Sequence, residues 1–398
     1  MDIVEARRII ESLRKGIPPD GFIRHFTVGR ASEITQLTER LDDVIHNALL
    51  LKANYGAGKT HILRFIRESA LEKNYAVSSV TLDCKGEVRF NRMDQVLGAI
   101  CRNIEIPGFS SQKGIRTVFN FVSEKLECAS DGQNNTFWQE LTNNGRWDIS
   151  DVLDSPALFV AIRAWAWGNS KVEDRIEDWF LQPWLYYNQI GLLYSDLILS
   201  LRRFFIDPRP KRQFYSDGVF LFHTQGYIQS WSALRGIQRL LCASGLKGLV
   251  LLFDEFEDVV TNLRNITYQE SAFWNLFQFY AGKQFPGLSF FAVTPEFVNK
   301  CITLFLNKGR YESNYQALVK TIPTFQMTPL DVEELEELAM RIMETHGIAY
   351  DWIPDNVFCS SILDEIVCKA ASAQIQDRAR HTIIAVVKAL DRLFEENQ

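Results

Sequence analysis

The segment Ala53-Asn54-Tyr55-Gly56-Ala57-Gly58-Lys59-Thr60 constrains this chain more than any other stretch, because of what stands on either side of it. Before it, Ala48 to Ala53 (ALLLKA) is a short, mostly apolar run of the kind buried in a parallel sheet. After it, Ile62, Leu63, Ile66 and Ala70 recur at helical spacing between His61 and Lys73. A glycine turn joining strand to helix lets successive backbone N–H groups curl around a phosphate. Gly56 and Gly58 permit positive φ and a close approach of the backbone, Lys59 brings a point charge to the β and γ oxygens, and the Thr60 hydroxyl is a magnesium ligand. The pattern is G-x-x-x-x-G-K-[ST] with Ala53 in place of the first glycine. A glycine turn that merely happens to precede a lysine would lack the flanking strand and helix. The expectation is therefore a P-loop that binds ATP with Mg²⁺, with Tyr55, Gly56, Ala57, Gly58, Lys59, Thr60 and His61 along the nucleotide. His61 is expected to pack in the helix and not to catalyse.

A P-loop calls for an acidic site at the end of a second buried strand. Gly248 to Glu255 (GLVLLFDE) supplies one: apolar residues for the strand, Asp254 at its C-terminal end to assist the metal, and Glu255 to polarise an attacking water. Glu257 and Asp258 read as charges that favour a helix N-terminus. Thr294, after the apolar run LSFFAV, either senses the γ-phosphate or caps a helix starting at Pro295, and both readings stay open. Near the C-terminus, Arg378 and Arg380 open a helix whose Ile383, Ile384, Val387 and Leu390 face a core. Arg380 is preferred as the residue that reaches a phosphate across the cleft, because it lies beside that packed face. The basic cluster Arg202, Arg203, Arg209, Lys211 and Arg212, interleaved with Phe204, Phe205 and Phe214, reads first as a solvated loop and second as a nucleic-acid contact.

At 398 residues the chain exceeds the size at which one core usually stops growing, and 46% hydrophobic with 23% charged residues is the composition of an ordinary globular protein. The net charge of -6 argues against a surface that coats nucleic acid non-specifically but leaves room for a local basic patch. The seven cysteines are scattered, with no CxxC and no clustered histidines, as expected of reduced thiols in a cytoplasm. No apolar run approaches the roughly 20 residues that cross a bilayer, so no membrane role is expected.

Strand and helix text runs from the N-terminus to about residue 106, pauses over an aromatic-rich, helical stretch at 107–227, resumes over 228–325, and gives way to helices over 326–398. The expected fold is a P-loop α/β domain with a central, mostly parallel sheet, a large helical insertion and a C-terminal helical lid. Trp138, Trp147, Trp165, Trp167, Trp179 and Trp184 all fall in the insertion, as core or as a partner surface.

The order of these parts resembles AAA+ ATPases of the origin-recognition and STAND-like groups. More particularly, ARRIIESLRKGIPP, then FTVGR, then NYGAGKTHILRFI look like the ATP-binding proteins of bacterial BREX phage-defence systems, the BrxD-like group. The resemblance implies that Val28, Gly29 and Arg30 lie at the adenine side, and that the protein is an ATPase working beside other defence proteins on DNA. Completion of the site by an arginine from a neighbouring subunit, in a homo-oligomer, is a further expectation, with Arg310 as the guess for that donor. Two functions stay open: an ATPase that remodels a DNA-bound defence complex, and a nucleotide-gated binding module with slow or absent hydrolysis.

Overall fold

The computed structural model describes residues 1–42, 47–82, 88–109, 112–130, 136–142, 153–184, 195–201, 222, 225–257, 263, 265–308, 314–353, 356–372 and 378–396. The basic cluster between Arg202 and Phe214, together with Trp147, Asp258 and Arg310, lies outside the described residues.

The apolar runs form a six-stranded sheet of β1 (Ala48–Lys52), β2 (Ala76–Thr81), β3 (Ile104–Glu105), β4 (Leu249–Asp254), β5 (Leu288–Val293) and β6 (Thr324–Gln326). Their spatial order is β3-β2-β4-β5-β1-β6, and every pair is parallel except β2 with β3. Strands β1, β4 and β5 are almost wholly buried, which is why they read as unbroken apolar text and not as alternation. Period-two geometry still divides their side chains between two faces. Leu49, Leu51, Val250, Leu252 and Phe290 meet Ile62 and Ile66 of the helix Lys59–Glu72 on one side. Ala48, Leu50, Leu251, Phe253 and Phe291 join a larger core on the other.

That larger core runs without a break into the aromatic-rich region. Its described helices are Ile115–Ser130, Thr136–Thr142, Pro156–Ala166, Ser170–Leu181 and Ser195–Leu201. Trp138, Trp165 and Trp179 are buried within it, Trp179 stacks on Phe222 at 5.0 Å between ring centroids, and Trp167 alone of these four stands exposed. These tryptophans therefore serve mainly as core. Phe90 sits at the join, edge-on to Phe253, Phe256 and Phe291.

A third cluster unites the two ends of the chain. The helix Ile3–Arg14 turns Ala6, Ile9, Ile10 and Leu13 onto Leu335, Leu338, Ile342, Val387 and Leu390 of the helices Val332–Tyr350 and Arg378–Glu396. Polar contacts fasten the same junction: Arg14 donates Nε to Asp391 Oδ2 at 3.0 Å and Nη2 to Oδ1 at 2.8 Å. Asp391 also meets fully buried His346, whose Nδ1 accepts the Trp352 indole N–H at 2.9 Å, leaving Nε2 as the donor to the carboxylate at 3.1 Å. The first helix is thus part of the C-terminal helical body. Among the described residues no helix is long and apolar enough to cross a membrane, and no group of acidic, histidine and cysteine side chains forms a metal cluster.

Candidate nucleotide site

Between β1 and its helix, the chain turns through Gly56 at φ 73 and Gly58 at φ 93, both in the left-handed region that a side chain disfavours. Gly58 is the residue that opens the helix Lys59–Glu72, and no side chain caps that end. The first N–H groups of the helix are therefore left to bind an anion. A Cβ on Gly58 would meet nothing closer than 3.8 Å, so backbone conformation and not crowding demands glycine there.

The acidic strand arrives at the same place through β5, which lies between β4 and β1. Thr60 Oγ1 donates to Asp254 Oδ2 at 2.7 Å, bringing together the two residues that sequence assigns to a metal. Glu255 follows at φ 56, a left-handed conformation unusual for glutamate and of the kind that collects at functional sites. Phe256 then turns into the core against Phe90 and Phe291, with ring centroids at 4.8 and 4.7 Å. Burying such a ring is worth about 2–3 kcal/mol and anchors the residues on both sides of it.

The second of those residues is Glu257, which sequence alone assigns to a helix N-terminus. Its Oε1 accepts from Lys59 Nζ at 3.1 Å, and both side chains are nearly sealed, Lys59 8% and Glu257 4% exposed. Lys59 also reaches the Ala53 carbonyl at 3.3 Å and lies 4.4 Å from the centre of the Tyr55 ring. The only available signal was spacing: Glu257 stands three residues beyond Asp254, far enough to pass the metal end and face the loop.

A cavity of about 360 Å³ opens over this loop. One end is polar, with Gly56, Ala57, Lys59, Thr60, Asp254 and Glu255. The other is apolar, with Pro18, Phe26, Val28, Leu330, Leu338 and Ile383, drawn from the N-terminal segment and the C-terminal helices. Arg380 stands on its wall, where a Cβ on Gly16 would lie 3.0 Å from its Nε, whereas Arg378 is not among the lining residues. Tyr55 and His61 line it too. Thr294 does not; it is buried at the end of β5 with its Oγ1 unpartnered, so it does not cap the helix that begins at Phe297.

Around the loop, Arg30 donates Nη2 to the Ala57 carbonyl at 3.0 Å, and burial lowers its pKa from the usual guanidinium value. His61 Nε2 lies 2.9 Å from Thr27 Oγ1, and burial, with Arg30 and Arg64 nearby, lowers its pKa to about 3. The imidazole is therefore neutral at physiological pH, on the first turn of the helix Lys59–Glu72 and beside the cavity. Gly29 does not line the cavity. It has φ +64, and a Cβ there would fall 1.8 Å from Glu334 Oε1, so the Val28-Gly29-Arg30 turn presses against the cap of the helix Val332–Tyr350.

The sequence model of the BREX system ATP-binding protein BrxC/D family matches residues 3–158 and 227–398, covering both halves of this cavity. The chain belongs to that family. It is accordingly an ATP-binding component of a BREX system, with other proteins of the system as partners. Residues 159–226, inside the aromatic-rich region, fall outside the family match. No curated protein and no solved structure matches the chain. The loop side of the cavity is rich in hydrogen-bond donors, and its other side is mostly apolar with Arg380 at its edge.

Proposed function

We propose that the chain is a Mg²⁺-dependent, AAA+-like ATPase of a bacterial anti-phage defence system, acting in the cytoplasm with its partner proteins and on DNA. The observation that carries the reading is the 2.7 Å contact of Thr60 with Asp254, with Glu255 next in the chain at the mouth of the same cavity. Thr60 and Asp254 would hold the Mg²⁺, which when bound neutralises charge on the β and γ oxygens. Lys59 and the backbone of Gly56 to Thr60 bind phosphate, Val28 and Arg30 flank the nucleotide, and Arg380 adds a cation from the lid. Glu255 accepts a hydrogen bond from the attacking water, orienting it toward the γ-phosphorus as ADP leaves. Thr294 supports the γ-phosphate side only if it turns out of its buried position. The test is turnover of the purified protein with Mg²⁺, DNA and partner proteins against Glu255→Gln: loss of turnover with retained ATP binding supports the role, and equal turnover refutes it. Mass measurement with and without ATP and DNA tests the homo-oligomer.

One observation favours the second reading, a nucleotide-gated binding module. Lys59 is engaged by Glu257, so phosphate can take Lys59 only by rearranging a sealed ion pair. If partner or DNA binding by Glu255→Gln with ATP matches that of wild type, occupancy and not hydrolysis is the signal.

A further inference from the structure

A second cavity, of about 300 Å³, lies away from the nucleotide, between the start of the helix Ile228–Ala243, the first half of the helix Ile266–Ala281 and Tyr315. Several independent features meet in it. Gly226 and Tyr227, on its wall, are both left-handed, with φ 70 and 51. A tyrosine keeps that conformation only where its surroundings impose it, and such strain collects at ligand sites. Trp274, also on the wall, is 37% exposed, and Tyr268, on the same helix, is 45% exposed. Large rings left in water beside a concave surface mark places where a partner is received. Asn91 lines the cavity, is 5% exposed, and has no hydrogen-bond partner for its Oδ1. Its backbone neighbour is pinned, since Asn275 Nδ2 donates to the Phe90 carbonyl at 2.7 Å. A buried acceptor left unpaired is expensive unless a ligand supplies a donor. Glu270 adds a carboxylate to the same wall.

We propose that this cavity is a binding site for an arginine side chain presented by a partner polypeptide. The guanidinium matches all of the features at once. It is flat enough to lie on the rings of Tyr227, Trp274 or Tyr315, it offers N–H groups in its plane to Asn91 Oδ1, and it carries the charge that Glu270 complements. An ammonium has the charge without the flat face. A nucleobase has the flat face, but the phosphates attached to it meet the Glu270 carboxylate, and the nearby cation, Arg92, is already held by Asp94 at 2.7 Å.

The experiment uses the full chain and ligand-observed NMR with a blocked Gly-Arg-Gly peptide. Its comparisons are the same peptide with citrulline, which keeps the shape and loses the charge, the same peptide with lysine, and a short thymidine oligonucleotide. The arginine peptide is expected to bind in the millimolar range, with the citrulline and lysine peptides weaker by about tenfold. Glu270→Gln should weaken the arginine peptide by about tenfold, and Trp274→Leu, one turn along the same helix, should weaken all three peptides. Thermal denaturation is the check that both variants fold, as substitutions of partly exposed side chains should. The proposal is overturned by equal binding of the arginine and citrulline peptides, by a Glu270→Gln variant that binds as wild type does, by tighter binding of the oligonucleotide, or by no arginine binding at about 10 mM.

Discussion

Glu257→Gln should tighten nucleotide binding, because it weakens the hold on the lysine that phosphate needs. The two charges lie 3.1 Å apart and are nearly sealed from water. At an effective dielectric of about 20 their attraction is on the order of 5 kcal/mol, an upper bound that desolvation of the pair reduces considerably. Glutamine keeps an oxygen that accepts from Lys59 and removes only the charge. The part of the attraction that wild type must give up when Lys59 turns to phosphate is then about 1–2 kcal/mol, or about tenfold in Kd. Calorimetric titration of ADP and ATP into both proteins measures it. The same substitution leaves Lys59 with weaker compensation in the empty site, so the variant without nucleotide should lose about 1–3 kcal/mol of stability and recover it as nucleotide is added. A long-range charge effect would fade as salt rises from about 0.05 to 0.3 M, whereas a contact between buried groups should keep its ratio. Unchanged or weaker nucleotide binding refutes the competition and makes Glu257 a group that aims Lys59 at phosphate.

Thr60→Ala should abolish the gain in ATP affinity that Mg²⁺ confers and leave affinity in EDTA nearly unchanged, as read by the same titration with and without metal; an intact Mg²⁺ effect would remove Thr60 from the metal site. Folding stability should fall as pH drops from 7 to 5. His61 is held neutral in the fold, with its pKa near 3, while the unfolded chain takes up the proton below about 6.5, so the folded state loses up to about 2 kcal/mol by pH 5. His61→Gln should flatten that slope in thermal melts, and an unchanged slope would show that the imidazole is protonated without loss. Gly29→Ala should cost about 2 kcal/mol in urea denaturation, combining a left-handed φ with displacement of Glu334 from its hydrogen bonds with Asp331. Stability equal to wild type would mean that the turn and the helix cap move apart freely.

Much of the site was legible because its signals are local. Strands buried on both faces must be apolar throughout, a turn around phosphate must use residues that tolerate positive φ, and a helix must repeat its apolar positions every three or four residues. Ala48 to Thr60, Leu249 to Glu255 and the helix beginning at Arg378 each carry one of these in a single short stretch. Other elements had no such mark. Strand β6 is three residues long and only partly buried, so neither alternation nor an apolar run distinguishes it, and β3 is two residues at the end of a helix.

What the sequence determined by itself is therefore the glycine turn of the loop and the kind of element on each side of it. What only the tertiary structure decided is which distant residues meet there. Lys59 and Glu257 stand 198 residues apart and become partners because β5 sets the distance between β1 and β4 and because buried Phe256 anchors Glu257 beside the loop. The helix Ile3–Arg14 shows an apolar face in the sequence, but a face does not name what covers it. Packing against Leu338, Ile342 and Leu390, together with the Arg14–Asp391 pair, assigns the start of the chain to its end and so closes the apolar half of the cavity. Burial is a sum over whatever surrounds a side chain, and that sum exists only once the chain has folded.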